Sequence, residues 1–414
     1  MRRVSTDLVN DDMQYWLRRR ERDMASSETR MARQGRIESP RDDPLAAARA
    51  VRYDSVVERL QRFEKNAAYA DDQYRVSEGY ARQALEVAQR LRELAVQGAN
   101  GIYSAQDRKS MAAEVDQLVA ELVELGNARG ADGTYLFSGD KSRTAPFRAV
   151  SGNAPGAEGE TIVAVQYLGA AGGPQAEVAE GSYVPLSQPG SDVFWAERQQ
   201  AISSFDAREW RALADSRIIV DGRQVQIKAG DNVHAVAAKI NDSGAAVKAT
   251  IDPRGFALSL EATSAHQLRI EDAPGGSTLK ELGLLAPTGS PPDNWAPGAR
   301  VSGGSLFDVA MRLRDSLNRG DALETGGAAL AGIDAGIDNL TRRAAELGSR
   351  SERLQSTLAR LNVEIPDTTK LLSAETDLDF SKAITDYRML EYAQKASLGM
   401  AGRLLPPTLL DFLR

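Results

Sequence analysis

The chain has 414 residues, more than one hydrophobic core usually organises, so two or more folding units are expected. Hydrophobic residues make up 42% but aromatics only 6%, a balance that suits long, closely packed helices better than a thick globular core. The 51 basic and 58 acidic residues are mixed along the chain to a net charge of -7, so neither nucleic acid nor a membrane is an implied partner, and the absence of cysteine excludes thiol catalysis, disulfides and thiolate metal sites.

The N-terminus, Met1-Arg2-Arg3-Val4-Ser5-Thr6-Asp7, is basic but lacks the apolar run of a secretory signal, and no stretch approaches the ~20 apolar residues of a membrane span. Any export therefore uses a route that cleaves nothing. In the first forty residues Val9, Met13, Leu17, Met24 and Met31 form an incomplete helical stripe, too narrow for a solitary helix in water. Asp43 then reads as an N-cap and Pro44 as the first residue of a long helix over 44–97, stopped by Gly98 and weakened only at Gly79. Its seam runs Val56, Leu60, Phe63, Ala67, Ala70, Tyr74, Ser77, Ala81, Ala84, Ala88, Leu91 and Ala95, alternating four and three, which is the signature of a coiled coil. A second helix starts at Ser104-Ala105-Gln106-Asp107 and carries Met111, Val115, Leu118, Leu122 and Leu125 at the same spacing; the short connection makes it an antiparallel neighbour of the first.

From about 146 to 304 the composition shifts to glycine, proline and short β-like runs at 161–168, 217–227, 246–251 and 256–260, with a helix over 233–241. Asp221-Gly222 between two apolar runs signals a hairpin. A third heptad seam follows at Ile333, Ile337, Leu340, Ala344, Leu347, Ser351, Leu354, Leu358, Leu361 and Ile365, with Pro366 expected to end it. A last stripe contains Phe380, Ala383, Ile384, Tyr387, Leu390 and Ala393. The fold expected is α+β: a long antiparallel helical coiled-coil rod built from both ends of the chain, with a β-rich domain inserted. The boundaries expected are an N-terminal assembly helix over 1–43, rod helices over 44–145 and 305–366, the insert over 146–304, and a C-terminal assembly helix over 367–414.

These residues resemble the flagellin superfamily. Arg36-Ile37-Glu38-Ser39-Pro40-Arg41-Asp42-Asp43-Pro44 is similar to the family's turn between terminal and rod helices. The run Gln89-Arg90-Leu91-Arg92-Glu93-Leu94-Ala95-Val96-Gln97 resembles its most recognisable stretch, so Arg90, Arg92, Glu93, Leu94 and Gln97 stand as the flagellin-like rod motif. Leu347-Gly348-Ser349-Arg350, Arg353-Leu354, Leu361-Asn362 and Asp377-Leu378-Asp379-Phe380 resemble the returning helices. The middle, from Ile218-Ile219-Val220-Asp221-Gly222 through Ala237-Ala238-Lys239-Ile240-Asn241 to Leu279-Lys280-Glu281-Leu282-Gly283-Leu284, resembles a small module shared by hook-associated proteins and some flagellins. Gly133-Thr134-Tyr135-Leu136-Phe137-Ser138-Gly139 and the tail Leu404-Leu405-Pro406-Pro407-Thr408-Leu409-Leu410-Asp411-Phe412-Leu413 tilt the match toward the hook-filament junction branch of the family. Filament flagellin is the alternative, and a cytoplasmic coiled-coil scaffold a remote one.

The resemblance implies a structural subunit of the bacterial flagellum, not an enzyme, exported unfolded through the flagellar type III channel. The flagellum is external or periplasmic. It also implies that Val9, Met13, Leu17, Met24, Met31, Phe380, Ile384, Tyr387 and Leu390 form an assembly interface. The implied partners are further copies in a helical layer, a hook-side hook-associated protein, flagellin, and an export chaperone at the C-terminal helix; no cofactor is implied. The residues taken alone add no catalytic constellation. His234 and His266 are not in a metalloprotease arrangement and read as ordinary surface or turn residues. Arg18-Arg19-Arg20, followed by Glu21, Arg22 and Asp23, reads as a mixed charged face, not a nucleic-acid patch.

Overall fold

The computed structural model describes residues 6–404 except 155, 157, 158, 290, 292 and 293, with side chains described between 12 and 400. The chain opens with helices α1 (Thr6–Arg33), α2 (Pro44–Ala99) and α3 (Ala105–Gly126). Strands β1 (Phe147–Asn153), β2 (Glu160–Tyr167), β3 (Gln175–Ala179) and β4 (Ser182–Pro185) follow, then the single turn α4 (Gly190–Val193). Next come β5 (Gln200–Ile202), β6 (Ser216–Val220), β7 (Arg223–Ile227), α5 (Val233–Asp242), β8 (Val247–Asp252) and β9 (Ala257–Ala262). After β10 (Ile270–Asp272), α6 (Thr278–Glu281) and β11 (Arg300–Ser302), the chain returns to helix. The return comprises α7 (Leu306–Arg319), α8 (Ala322–Glu324), a π turn (Thr325–Ala329), α9 (Leu330–Thr376) and α10 (Phe380–Leu404). Among the described residues no helix is long and apolar enough to cross a membrane. The chain divides into two compact units, residues 65–358 and residues 1–64 with 359–414, and α2 and α9 contribute to both.

In the larger unit the heptad seams of α2, α3 and α9 share one core. From Ala67 to Ala95 every seam residue of α2 is buried, with Met111, Val115 and Leu122 of α3 and Ile333, Leu340, Leu347 and Leu354 of α9. Direction is fixed by two polar ties. Ser351 of α9 donates to the Asp71 carboxylate, whereas Arg92, 21 positions further along α2, meets Asp334 at 2.6 Å, 17 positions back along α9, so the two helices run antiparallel. The five residues between α2 and α3 turn the chain back, and α3 starts with the expected capping box between Ser104 and Asp107.

Helix α7 is the element that the spacing did not reveal. Its capping box, Ser305 with Asp308, and its left-handed C-terminal Gly320 at φ 71° define it, and it packs directly along α3. Leu306, Phe307, Val309, Ala310, Met311, Leu313 and Leu317 are all buried, so apolar residues occur nearly all round and leave no four-three stripe. Arg314, 1% exposed on the same helix, is held by Asp116 at 2.9 Å, Asp315 at 2.8 Å and the Ile162 carbonyl at 2.6 Å, tying α3, α7 and the β1–β2 hairpin together. Such a charge tolerates burial because its donors are paired.

The expectation of one insert over 146–304 needs correction. Phe147, Tyr167, Val178, Phe194 and Trp195 belong to the same core as the helices, and a second core is built from 201 to 285. Aromatic packing explains the division. Phe147 sits 4.9 Å from Phe307 of α7, 5.3 Å from Phe194 and 5.2 Å from Tyr167, and Phe137 lies 5.3 Å from Phe194. A Cβ on Gly126 or Gly190 would lie 2.6 or 2.7 Å from the Phe147 ring, so both glycines are there to admit it.

The second core is the module proper. One sheet runs β11-β5-β9-β8 and another β10-β6-β7, every pair antiparallel, with α5 packed on β8 and β7. The Asp221-Gly222 hairpin is present, with φ 46° and 77° at its two turn residues, the type I′ signature. Entry and exit lie side by side: β5 pairs with β11, and Ala196 and Glu197 both donate to the Gly304 carbonyl at 3.1 Å.

Two helix ends also differ from expectation. Gly98 is not the stop of α2 but lies inside its last turn, where a Cβ would come 2.2 Å from Leu317 Cδ2; its missing side chain lets α7 approach. Pro366 does not end α9, which continues to Thr376, and so 366 is not a domain border. The hydrogen bond that proline removes would have gone to the carbonyl of Asn362, an exposed residue that water can serve, while Leu361 and Ile365 stay packed on Leu60 and Phe63.

Candidate assembly interface

The smaller unit pairs the two ends of the chain. The backbone of the turn after α1 is stitched to the end of α9: Arg36 N–H donates to the Thr376 carbonyl at 2.7 Å and Leu378 N–H to the Gln34 carbonyl at 3.1 Å. Arg36 and Arg49 both reach Glu375, at 3.6 and 3.3 Å, and the Asp43 carboxylate caps α2 through the Ala46 N–H at 3.0 Å, as its place before Pro44 requires.

Beyond this stitch α1 and α10 lie against each other. Arg20 donates to the Ala393 carbonyl at 2.6 Å, and the Tyr387 hydroxyl donates to Glu28 at 2.6 Å, so the helices are antiparallel. The Glu28 carboxylate beside it raises the Tyr387 phenol above its ordinary value, since ionisation would place two negative charges together. Met13, Leu17, Met24 and Met31 fall on the same helical face as Arg20 and Glu28 and are half-buried. The side chain of Val9 lies outside the described residues, as does the tail 405–414. On α10 the face toward α1 contains buried Ala383 and half-buried Tyr387 and Leu390, whereas Phe380 and Ile384 remain 44% and 45% exposed.

The stripes were therefore only part of the apolar surface. Tyr15, Trp16, Met389, Tyr392, Leu398 and Met400 are exposed as well, and Tyr15, Met389, Tyr392 and Met400 fall roughly opposite the paired faces. On α10 these residues form a second, weaker apolar stripe, Met389, Tyr392 and Met400, and on α1 Tyr15 stands alone on the outward face. Trp16 packs edge-on to Tyr15 at 5.6 Å and under Arg19 at 5.3 Å, a local shelter that still leaves its ring half in solvent. The pair α1/α10 thus satisfies one side of each helix and leaves apolar area on the other.

The rod motif divides between core and surface. Leu94 is 1% exposed and belongs to the helical core, and Gln97 is half-buried. Arg90 bridges to Glu93 on its own helix and to Glu114 on α3, both at 2.7 Å, and Arg92 reaches α9 through Asp334. These exposed pairs act more as register than as glue. Among the described residues no group of three or more histidines and carboxylates is placed to hold a metal.

Comparison with known families places this geometry. Residues 4–142, covering α1 to α3, match the bacterial flagellin N-terminal helical region, and residues 216–264, covering β6 to β9, match the flagellin hook IN motif. The chain carries two flagellin-family domains. Flagellin FlaB1 of Treponema pallidum is 36% identical over 28% of this chain and 41% of its own length. The flagellar hook-associated protein 3 of Escherichia coli is 27% identical over 49% of this chain and 61% of that protein. Flagellin A of Vibrio anguillarum is 25% identical over 99% of both chains. The flagellin hook IN match falls entirely within the second core, and the flagellin N-terminal match contributes both the paired α1 and the seams of α2 and α3.

Proposed function

We propose that this chain is a structural subunit of the bacterial flagellum that joins hook to filament, polymerising through α1 and α10. The observation that carries the proposal is the half-satisfied terminal pair: α1 and α10 cover each other on one side and leave Tyr15, Trp16, Phe380, Ile384, Met389 and Tyr392 exposed. Burial of each such side chain against a neighbouring copy contributes up to about 1.5 to 3 kcal/mol, so a layer of copies gains far more than the monomer. A head-to-tail contact of this kind propagates around a tube. The partners of the layer are a hook-associated protein on one side and flagellin on the other, and a cytoplasmic chaperone covers α10 before export through the flagellar secretion channel. The surface offered to a neighbouring copy is Tyr15, Trp16, Phe380, Ile384, Met389 and Tyr392, while Met13, Leu17, Met24, Met31, Tyr387 and Leu390 hold α1 and α10 together beneath it.

A second reading, filament flagellin, has one observation in its favour, the alignment with a flagellin along 99% of both chains. Immunogold labelling of intact flagella separates the two. A narrow band at the hook end supports the junction subunit, and decoration along the whole filament refutes it.

A further inference from the structure

Of the eleven asparagines in the chain, only Asn100 is followed by glycine. The pair stands in the turn between the end of α2 at Ala99 and the start of α3 at Ala105, and both residues are exposed. The Asn100 N–H still donates to the Gln97 carbonyl at 3.1 Å, but the Gly101 N–H has no hydrogen-bond partner among the described residues. A backbone nitrogen held by no carbonyl is free to give up its proton and act as a nucleophile. Nothing lies within 4 Å of the place a Cβ on Gly101 would take, so no neighbouring group shields it there, and glycine brings no side chain of its own.

Other asparagine side chains are held firmly. Asn127 donates to the Phe147 carbonyl at 2.8 Å and accepts from the Phe147 N–H at 2.9 Å, and Asn241 does the same with Ala249 at 2.9 and 2.8 Å. Asn339, fully buried, donates to the carbonyls of Asp192, Val193 and Trp195. Asn100 has one tie only, from Nδ2 to the Val96 carbonyl at 3.1 Å, at the fraying end of a helix.

From this geometry we propose that Asn100 modifies itself, converting to aspartate and isoaspartate without an enzyme. The Gly101 nitrogen attacks Cγ of Asn100, the Cγ–Nδ2 bond breaks, and the side-chain nitrogen departs as ammonia with the proton that Gly101 gave up. A five-membered cyclic imide is left. Water opens it at either carbonyl: attack at Cγ restores the backbone and leaves aspartate, whereas attack at the Asn100 backbone carbonyl leaves the chain running through the side chain as isoaspartate. Nothing is oxidised or reduced, and water is the only reactant from outside. The ring joins atoms of adjacent residues, so the motion required is local to the turn. The product weakens the end of α2, because the donor to the Val96 carbonyl is gone and a negative charge stands at the carbonyl end of the helix. That end carries Gly98, against which Leu317 of α7 is packed.

The test is peptide mass spectrometry on the full-length protein held folded at pH 8.5 and, in parallel, at pH 6. Trypsin releases Asn100 in the peptide 93–108, between Arg92 and Arg108. This peptide should become one dalton heavier with time, faster at pH 8.5, and fragmentation should show both aspartate and isoaspartate at position 100. Peptides containing Asn127 and Asn241 should keep their mass over the same period. Gly101→Ala keeps the fold, since the position has room for a Cβ and no left-handed φ, and should lose almost all of the mass gain because the added methyl hinders ring closure. A folded protein whose 93–108 peptide stays unchanged while the isolated peptide reacts would overturn the proposal. So would equal reaction at Asn127 or Asn241, a product without isoaspartate, or a Gly101→Ala protein that reacts at the parent rate.

Discussion

Replacing Phe147 by alanine tests where the helical core ends. The ring is 3% exposed, touches Phe194, Phe307 and Tyr167, and fills the space left by Gly126 and Gly190. Its removal loses the transfer free energy of a large side chain and leaves a cavity whose walls are other rings, for a destabilisation of roughly 3 to 5 kcal/mol. At roughly 2 to 4 °C per kcal/mol for a unit of this size, the melting temperature should fall by about 6 to 20 °C. Urea unfolding followed both by helical circular dichroism and by tryptophan fluorescence, in a form keeping only Trp195 of the four tryptophans, is the assay, since Trp195 is in the same core. The two signals should move together. If Phe147 belonged to a separate insert, the helical signal would keep its midpoint, and a loss below about 1 kcal/mol there would refute the shared core.

Excising 198–303 and joining Glu197 to Gly304 by a short Gly/Ser linker should retain helical circular dichroism and cooperative unfolding, because the β5–β11 pair brings those ends together; aggregation or loss of cooperativity would count against it. Gly139→Ala should destabilise by about 2 kcal/mol or more in thermal unfolding, since Gly139 has φ +63° and a Cβ would lie 2.4 and 2.5 Å from two backbone carbonyl oxygens; an unchanged midpoint would contradict that geometry.

Much of the helical framework is legible in the sequence because a coiled coil repeats its demand every three or four residues. The seams of α2, α3 and α9 state it dozens of times, and local chemistry marks Ser104 as a cap and Asp221-Gly222 as a turn. What was not legible depends on contacts without a local signature. Helix α7 is buried on nearly all sides and so has no stripe, although Ser305 and Asp308 did spell a capping box. Phe147, Phe194 and Phe307 meet across 160 positions of sequence, which no periodicity announces. Pro366 reads as a stop but lies inside α9, because a proline's lost hydrogen bond matters less where water reaches the orphaned carbonyl. His266 has a polar sequence neighbourhood, yet it is buried, beside Asp221, 45 positions away. In the candidate interface the inner faces of α1 and α10 were visible as stripes, and the outer aromatics were not.

The most direct test of the assembly claim is removal of residues 380–414, which deletes α10 and with it the partner of α1. The seams of α2, α3 and α9 do not depend on α10, so the shortened chain should remain soluble and folded by circular dichroism. Electron microscopy of cells making only this form, with immunoblotting of their medium, should show hooks without attached filaments and flagellin shed outside. Normal filaments on such cells would contradict a junction subunit that assembles through its terminal helices.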